Sequence, residues 1–477
     1  MERRTFIKTS GLAAAGGMLL GSADAERPDK VGTTGHSLSA AGPKLKLALV
    51  GTGIRGTSCW GKPVADGYGD LVEFVGLCDI NPGRIAYAKK YMGVNCKTYT
   101  DFDLMMKETK PDMLIVTTVD ATHNQFIVKG LEYGADVLTE KPLTTDEVKC
   151  QQILDAQRRT GKKVRVGFNY RYGTLFTAIK QALEEQRAGR ITSVDFHWYL
   201  NTYHGADYFR RWHGYRNKSG SLLVHKASHH FDLLNWWIDS DPVEVNAYGK
   251  LEHYGRNNDF RGDNCRTCDL KQKCKFYWDI MADPQLVQLY VENEKYDGYI
   301  RDNCLWRTDI DIFDKMAVQI RYANDVQVSY SLTAYSPYEG LTIAFNGMKG
   351  RIDSWQDLPW RTQEKVSQAD RHKREMSQGS GDESGYDEIV VSENFGKSEL
   401  VKVPMVRAGH GGGDDRLRDD IFRPSGTVDP LKHAAGLRDG VMAILIGIAA
   451  RKSIDEGRPV KIQELTDLKP GVERNAS

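Results

Sequence analysis

Outside its N-terminal segment the chain lacks any apolar run approaching the ~20 residues that a membrane-spanning helix needs, so no membrane anchor is expected. It also lacks an excess of charge. Lys and Arg number 65 against 64 Asp and Glu, for a formal net charge of +1 at pH 7, and no basic stretch is sustained. That removes the electrostatic footprint of a nucleic-acid-binding surface and points to a small-molecule partner. Cysteine is sparse, with eight residues in all, and none closely follows the N-terminal apolar segment, which argues against a lipoprotein anchor. What is present is length: 477 residues, 40% of them hydrophobic, suffice for more than one core, and two or three domains are expected. Aromatic residues are plentiful, with nine Trp and twenty-two Tyr, and flat faces of this kind suit carbohydrate as well as core and subunit contacts.

The N-terminus reads Arg3-Arg4-Thr5-Phe6-Ile7-Lys8, then a mildly apolar stretch from Gly11 to Leu20, then Ala23-Asp24-Ala25. This order of charged, apolar and small residues is that of a removable twin-arginine export signal over residues 1–25. Residues 26–43, rich in Gly, Ser, Thr and Ala, read as a linker. A periplasmic or secreted protein is expected, handed across the membrane by the twin-arginine machinery. That route carries folded proteins, and free dinucleotide is scarce outside the cytoplasm, so any such cofactor would travel tightly bound.

A cofactor of that kind is indicated next. Leu47-Ala48-Leu49-Val50 flows into Gly51-Thr52-Gly53-Ile54-Arg55-Gly56, a G-x-G-x-x-G turn off a strand. Gly51 permits the tight turn, Gly53 lets backbone approach a pyrophosphate, and Gly56 lets the following helix pack closely. A second apolar strand, Leu71 to Cys78, ends at Asp79, about twenty residues past the motif, where an acid accepts the ribose hydroxyls and repels a 2'-phosphate. NAD is therefore favoured over NADP, with Arg84 nearby as the residue that would favour the alternative. Ile54 and Arg55 in the turn, Thr117 at the end of the strand Met113–Thr118, and Glu140 and Lys141 after the strand Ala135–Glu140 complete the expected cofactor contacts. Strands alternating with helices, including a T-x-x-E capping box at Thr144–Glu147 that opens a helix ending at Gly161, predict a doubly wound parallel sheet over 44–166.

Beyond Gly167 the pattern changes. Met316, Val318, Ile320 and Tyr322 alternate, Asn324-Asp325 turns, and Val326, Val328, Tyr330 and Leu332 alternate again, which predicts an antiparallel hairpin with one covered face. The strand Leu341–Phe345 suggests a meander, residues 363–413 suggest loops, and a last helix is expected over 431–456. The fold class is α/β plus α+β: a Rossmann domain, then a substrate and oligomerisation domain over 167–465 with a large open, mostly antiparallel sheet. Such a sheet commonly buries its bare face against a second copy, so a homo-oligomer is expected.

The glycine turn, the Glu140-Lys141-Pro142 tripeptide at a parallel strand end, and the histidine-bearing segment Ser221–Trp237 together resemble the glucose-fructose oxidoreductase, inositol dehydrogenase and MocA-type family over roughly residues 44–465. The resemblance implies that Lys141 sits beside the nicotinamide and holds the substrate hydroxyl that loses its proton. A desolvated lysine suits that task, because burial disfavours its charged form. On a helix His225, His229 and Asp232 share one face, at i, i+4 and i+7. The family's D-x-G-x-H-x-x-D pattern keeps His229, the expected acid/base partner, and Asp232. It departs at His225, where an aspartate is usual, and at Ala227, where glycine is usual. A histidine at 225 can relay a proton but supplies no fixed negative charge to Lys141. A zinc-peptidase pair is excluded, since Lys226 stands where H-E-x-x-H needs glutamate.

Further substrate contacts are expected from Arg171, on the turn leaving the strand Lys163–Gly167, from Tyr208 in Tyr208–His213, from Tyr335–Glu339, and from His410 in the glycine-rich Arg407–Asp415 segment. Cys265, Cys268, Cys274 and Cys304, in an insertion near 253–305, suit a structural zinc, an iron-sulfur cluster or two disulfides. Three functions remain open at this level: hydride transfer between NAD and a secondary hydroxyl of a sugar, glycoside or cyclitol; a redox-neutral NAD-dependent glycosidase that oxidises, eliminates, hydrates and returns the hydride; and a carbohydrate-binding protein on a retired dehydrogenase fold.

Overall fold

The computed structural model describes residues 42–358, 385–406 and 409–474. The twin-arginine pattern, nearly all of the 26–43 linker, Arg407 and Ala408 lie outside the described residues. No helix among the described residues is long and apolar enough to cross a membrane.

The first domain is built on β1 (Leu45–Val50), β2 (Val72–Cys78), β3 (Lys97–Tyr99), β4 (Met113–Val116), β5 (Asp136–Thr139) and β6 (Val164–Val166). Among the described residues they form one parallel sheet in the order β3-β2-β1-β4-β5-β6. Period-2 alternation explains why β1 is apolar throughout: Ala48 and Val50 point into one core, Leu47 and Leu49 into another on the opposite face. Strand order reverses between β1 and β4, and the crevice beyond their carboxyl ends is where doubly wound sheets bind ligands. The helix after β5 runs Glu147–Thr160 and ends on left-handed Gly161, as expected, but its cap is Asp146, which accepts from the Lys149 amide at 3.0 Å. The T-x-x-E box does not form, because Thr144 still belongs to the turn that leaves Lys141 and Glu147 is already the first helical residue.

The second domain holds β7 (Ile191–Asn201), β8 (Pro242–Lys250), β9 (Lys315–Tyr322), β10 (Gln327–Ser336), β11 (Gly340–Gly347), β12 (Gly350–Gln356), β13 (Tyr386–Glu393), β14 (Ser398–Pro404) and β15 (Val460–Lys461). Their order among the described residues is β14-β13-β12-β11-β7-β10-β9-β8-β15, antiparallel except for the parallel pair β7 and β10. The β9–β10 hairpin forms as its alternation predicts, with Asp325 at positive φ in the turn. The expected meander does not continue: β7 lies between β10 and β11 and pairs with both. Part of the region expected as loops is the β13–β14 hairpin, since Ile389, Val391 and Val403 alternate inward. Two helices cover the buried face, Ala227–Ile238 and Leu437–Glu456. The latter begins later than its apolar pattern suggests, because Asp439 caps it by accepting from the Gly436 amide at 2.9 Å.

Candidate active site

The glycine turn has the shape of a dinucleotide cradle. Gly51 has φ of +92°, and a Cβ there would stand 2.6 Å from the Thr117 carbonyl carbon. A Cβ at Gly56 would overlap the Gly51 carbonyl oxygen. Thr117 secures the turn by donating from Oγ1 to that same oxygen at 2.6 Å. At the end of β2, Asp79 Oδ2 accepts from the Thr52 amide at 2.7 Å, and Oδ1 accepts from the Asn81 amide at 2.9 Å and Arg84 Nη2 at 3.2 Å. Arg84 is thus held by Asp79, and on its other side by Asp297. Backbone that only glycine can form, beside a carboxylate held in place, fits a pyrophosphate and an unphosphorylated ribose. A cavity of about 990 Å³ runs from Gly51, Gly53, Ile54, Arg55 and Asp79 past Thr117, Glu140 and Lys141 into the second domain.

Glu140 is an anchor. Its Oε1 accepts from Arg55 Nε and Trp60 Nε1, each at 2.6 Å, which ties the glycine turn to the end of β5. The next residue, Lys141, lies against the second domain and donates from Nζ to the His225 carbonyl at 3.2 Å. Burial, reinforced by the neighbouring Lys226 cation, brings its ammonium down to about 7, against the opposing pull of Asp120 and Glu140. A lysine so tuned gives up and takes back a proton near neutral pH.

His225 is bonded through Nδ1 to Asp120 Oδ2 at 2.6 Å. Asp120 follows β4 in the Rossmann domain, so the carboxylate absent from position 225 arrives from the other domain. Burial, with Lys141 and Arg211 nearby, holds His225 well below its ordinary range and therefore neutral. His123, three residues after Asp120, bridges the Pro142 and Thr118 carbonyls at 2.9 and 3.0 Å and so fixes the turn carrying Lys141. His229 lines the cavity, stacks on Tyr170 with ring centroids 4.1 Å apart, and is likewise kept neutral by burial. Lys226 donates to the Tyr170 hydroxyl at 3.0 Å. The far wall carries Tyr208, whose hydroxyl is 3.1 Å from His204 Nε2, while His204 Nδ1 meets Glu339 at 3.0 Å. His410 completes the mouth, with Nδ1 2.8 Å from Asp414 Oδ2. Burial pushes the Asp414 carboxyl up, but His410 and Arg55 outweigh it and hold it well below the usual carboxylate range.

Two expectations are corrected. Arg171 and Asp232, expected at the substrate, are 0% and 1% exposed and do not line the cavity; Arg171 Nε donates to Asp232 at 2.8 Å, and Asp439 joins them. The histidine segment is two helices, Leu222–His225 and Ala227–Ile238, rather than one. On the second of them His229 lines the cavity, while Asp232, nearly a turn further along the same helix, is buried against Arg171, where a paired charge is tolerated. The four insertion cysteines do meet around one small cavity, together with Arg210, which donates to Cys265 Sγ at 3.1 Å. They are free thiols, and no group of three or more His, Cys, Asp or Glu side chains among the described residues is arranged to hold a metal. Neither zinc, an iron-sulfur cluster nor a disulfide is supported at these four cysteines.

Sequence reasoning missed Asp120, His123, Tyr170, Lys226 and also Tyr290, which lines the cavity with its hydroxyl accepting from the Ile54 amide at 2.9 Å. The first two carried a readable signal, an Asp-x-x-His immediately after a buried parallel strand. The others depend on packing between segments distant in sequence.

Residues 45–168 match the family model described as oxidoreductase family, NAD-binding Rossmann fold, and residues 180–462 the one described as oxidoreductase family, C-terminal alpha/beta domain. YteT of Bacillus subtilis (strain 168) is 34% identical over 444 residues, which cover 88% of this chain and 99% of that protein. Inositol 2-dehydrogenase/D-chiro-inositol 3-dehydrogenase of Lactiplantibacillus plantarum is 23% identical over 253 residues, covering 50% of this chain and 68% of that one. The solved levoglucosan dehydrogenase, a complex with NADH and levoglucosan, shares the fold with a TM-score of 0.61 at 17% identity, over 88% of this chain and 100% of that one.

Proposed function

The chain belongs to the glucose-fructose oxidoreductase, inositol dehydrogenase and MocA-type (Gfo/Idh/MocA) oxidoreductase family, and on that premise we propose that it moves a hydride between a retained NAD and a secondary hydroxyl or ketone of a sugar, glycoside or cyclitol. One observation carries the reading: Lys141, brought down to about 7, stands in a single cavity lined at one end by the glycine turn and Asp79 and at the other by Tyr170, Tyr208, His229 and Glu339. Polar groups on aromatic walls suit a polyhydroxylated ring. The inositol and levoglucosan dehydrogenases among the similar proteins support the same class.

In this reading Gly51, Gly53, Ile54, Arg55 and Gly56 hold the pyrophosphate, and Asp79 takes the ribose hydroxyls. When bound, the nicotinamide supplies the acceptor or donor of hydride. Unprotonated Lys141 takes the proton of the reacting hydroxyl as hydride leaves its carbon, and returns it when a ketone is reduced. His229 positions that hydroxyl, and His225, braced by Asp120, keeps Lys141 against the second domain through its carbonyl. Glu339, His204, Tyr208 and His410 contact the remaining hydroxyls.

The proposal extends to export by the twin-arginine route, on Arg3-Arg4 and the segments behind them, and to a homo-oligomer built on the open face of the second sheet. To test the chemistry, the purified protein would be examined by near-ultraviolet spectroscopy for bound nicotinamide and incubated in deuterated water with free sugars, cyclitols and aryl glycosides. Keto product matched one-to-one by reduced nicotinamide is expected. Aglycone release with ring deuteration and no net reduction would replace this reading with the redox-neutral glycosidase.

A further inference from the structure

The insertion between β8 and β9 does more than fill the edge of its own sheet. Its first part is tied to the second domain, with the Tyr254 hydroxyl donating to the Ala334 carbonyl at 3.0 Å. Its later part crosses to the Rossmann domain along the dinucleotide crevice. Gln285 Nε2 donates to Ser58 Oγ at 3.0 Å, and the Tyr290 hydroxyl accepts from the Ile54 amide, in the glycine turn itself, at 2.9 Å. Beyond the end of β2, Asn81 Nδ2 donates to the Asn293 carbonyl at 2.9 Å, and Asp297 pairs with Arg84, the residue that also holds Asp79. Gly83 is in contact with the same segment, since a Cβ there would overlap the Asn293 side chain. Leu286, Tyr290, Asp297, Tyr299 and Arg301 line the same cavity as Gly51, Gly53 and Asp79.

We propose that residues 283–301 form a clasp that binds the dinucleotide from the side opposite the sheet, with Tyr290 as a pyrophosphate-binding residue and Asp297 locking Arg84 and Asp79 at the ribose end. The proposal rests on the reading that the cavity holds a dinucleotide. The physical case lies in the Tyr290 hydroxyl. It accepts from one amide of the phosphate-binding turn and keeps its own proton for a phosphate oxygen, a hydrogen bond to a charged acceptor and therefore stronger than a neutral one. At the ribose end, the salt bridge to Asp297 lies in a largely buried setting where salt screens it little. Dissociation of the dinucleotide then requires these cross-domain contacts to part together. A cofactor held this way serves both halves of a reaction cycle on one enzyme, so re-oxidation falls to a second substrate or a later step on the first.

The test needs no sugar. Protein loaded with NADH is mixed with excess NAD, and loss of bound-nicotinamide fluorescence gives the exchange rate. The wild-type chain is expected to retain close to one nicotinamide per chain through extended dialysis. Tyr290→Phe and Asp297→Asn are each expected to exchange on the order of 10-fold faster or more, the scale of one lost hydrogen bond to a charged group. Tyr277→Phe, in the same insertion and partly exposed, is expected to match wild type. Exchange in both Tyr290→Phe and Asp297→Asn within twofold of wild type overturns the clasp while leaving the dinucleotide reading intact. Failure of the wild-type chain to bind NADH at all overturns that reading and the clasp with it.

Discussion

Asp120 Oδ2 and His225 Nδ1 lie 2.6 Å apart, one carried by the Rossmann domain after β4 and the other by the first helix of the histidine segment. The pair bridges the two domains beside Lys141. It returns an acidic side chain to position 225, which the sequence pattern alone reads as lost, although burial pushes the Asp120 carboxyl well above its ordinary range. Asp120→Ala is expected to lower kcat on the order of 10-fold or more while leaving the NADH dissociation constant unchanged, and Asp120→Asn, which can still bond the ring, to recover part of that loss. Steady-state kinetics beside fluorescence titration separates the two quantities.

Lys141→Met is expected to remove at least ~100-fold of activity in either direction, the range assigned to a positioned acid or base, with nicotinamide still bound. Unchanged turnover in this variant would remove the central assignment.

The pH profile has a definite sign. With Lys141 brought down to about 7, the proton-accepting form dominates above that pH. Oxidation of a hydroxyl should therefore rise through about pH 7 and level off, and reduction of a ketone should fall over the same interval. Lys226→Gln removes a cation that disfavours protonated Lys141, so the midpoint should move to higher pH. A profile measured in both directions on both proteins decides this.

Asp79→Ala is expected to narrow the preference for NAD over NADP by on the order of 10-fold, since the variant no longer repels a 2'-phosphate and leaves Arg84 held only on its Asp297 side. Competitive titration of the two reduced cofactors provides the measurement.

The Arg171–Asp232 pair should behave as core. Breaking a buried ion pair by removing one partner costs about 3–5 kcal/mol, so Asp232→Ala should lower the unfolding midpoint strongly. KM for the substrate, measured on the protein that remains folded, should stay near the wild-type value.

Much of the first domain was legible because its determinants are local. β1 is apolar on both faces, the turn needs glycine at positions 51 and 56 for steric reasons that hold in any Rossmann unit, and Asp79 sits at a distance along the chain set by one helix and one strand. The β9–β10 hairpin was equally open to reading, since each strand buries alternate residues.

The site in the second domain was only half legible. His225 and His229 could be placed near Lys141, but Asp232 is buried against Arg171, a partner 61 positions away along the chain that no periodicity records. The place of β7 between β10 and β11, the arrival of Asp120 at His225, and the reach of Tyr290 to Ile54 join segments remote in sequence. The glycine turn, its acidic partner, the lysine at the strand end and the two-domain class could be read along the chain, because each follows from steric or chemical demands within a few tens of residues. Packing set which charges meet that lysine and which segment lies against the glycine turn, because those depend on how two cores pack and where an insertion of little regular structure comes to rest.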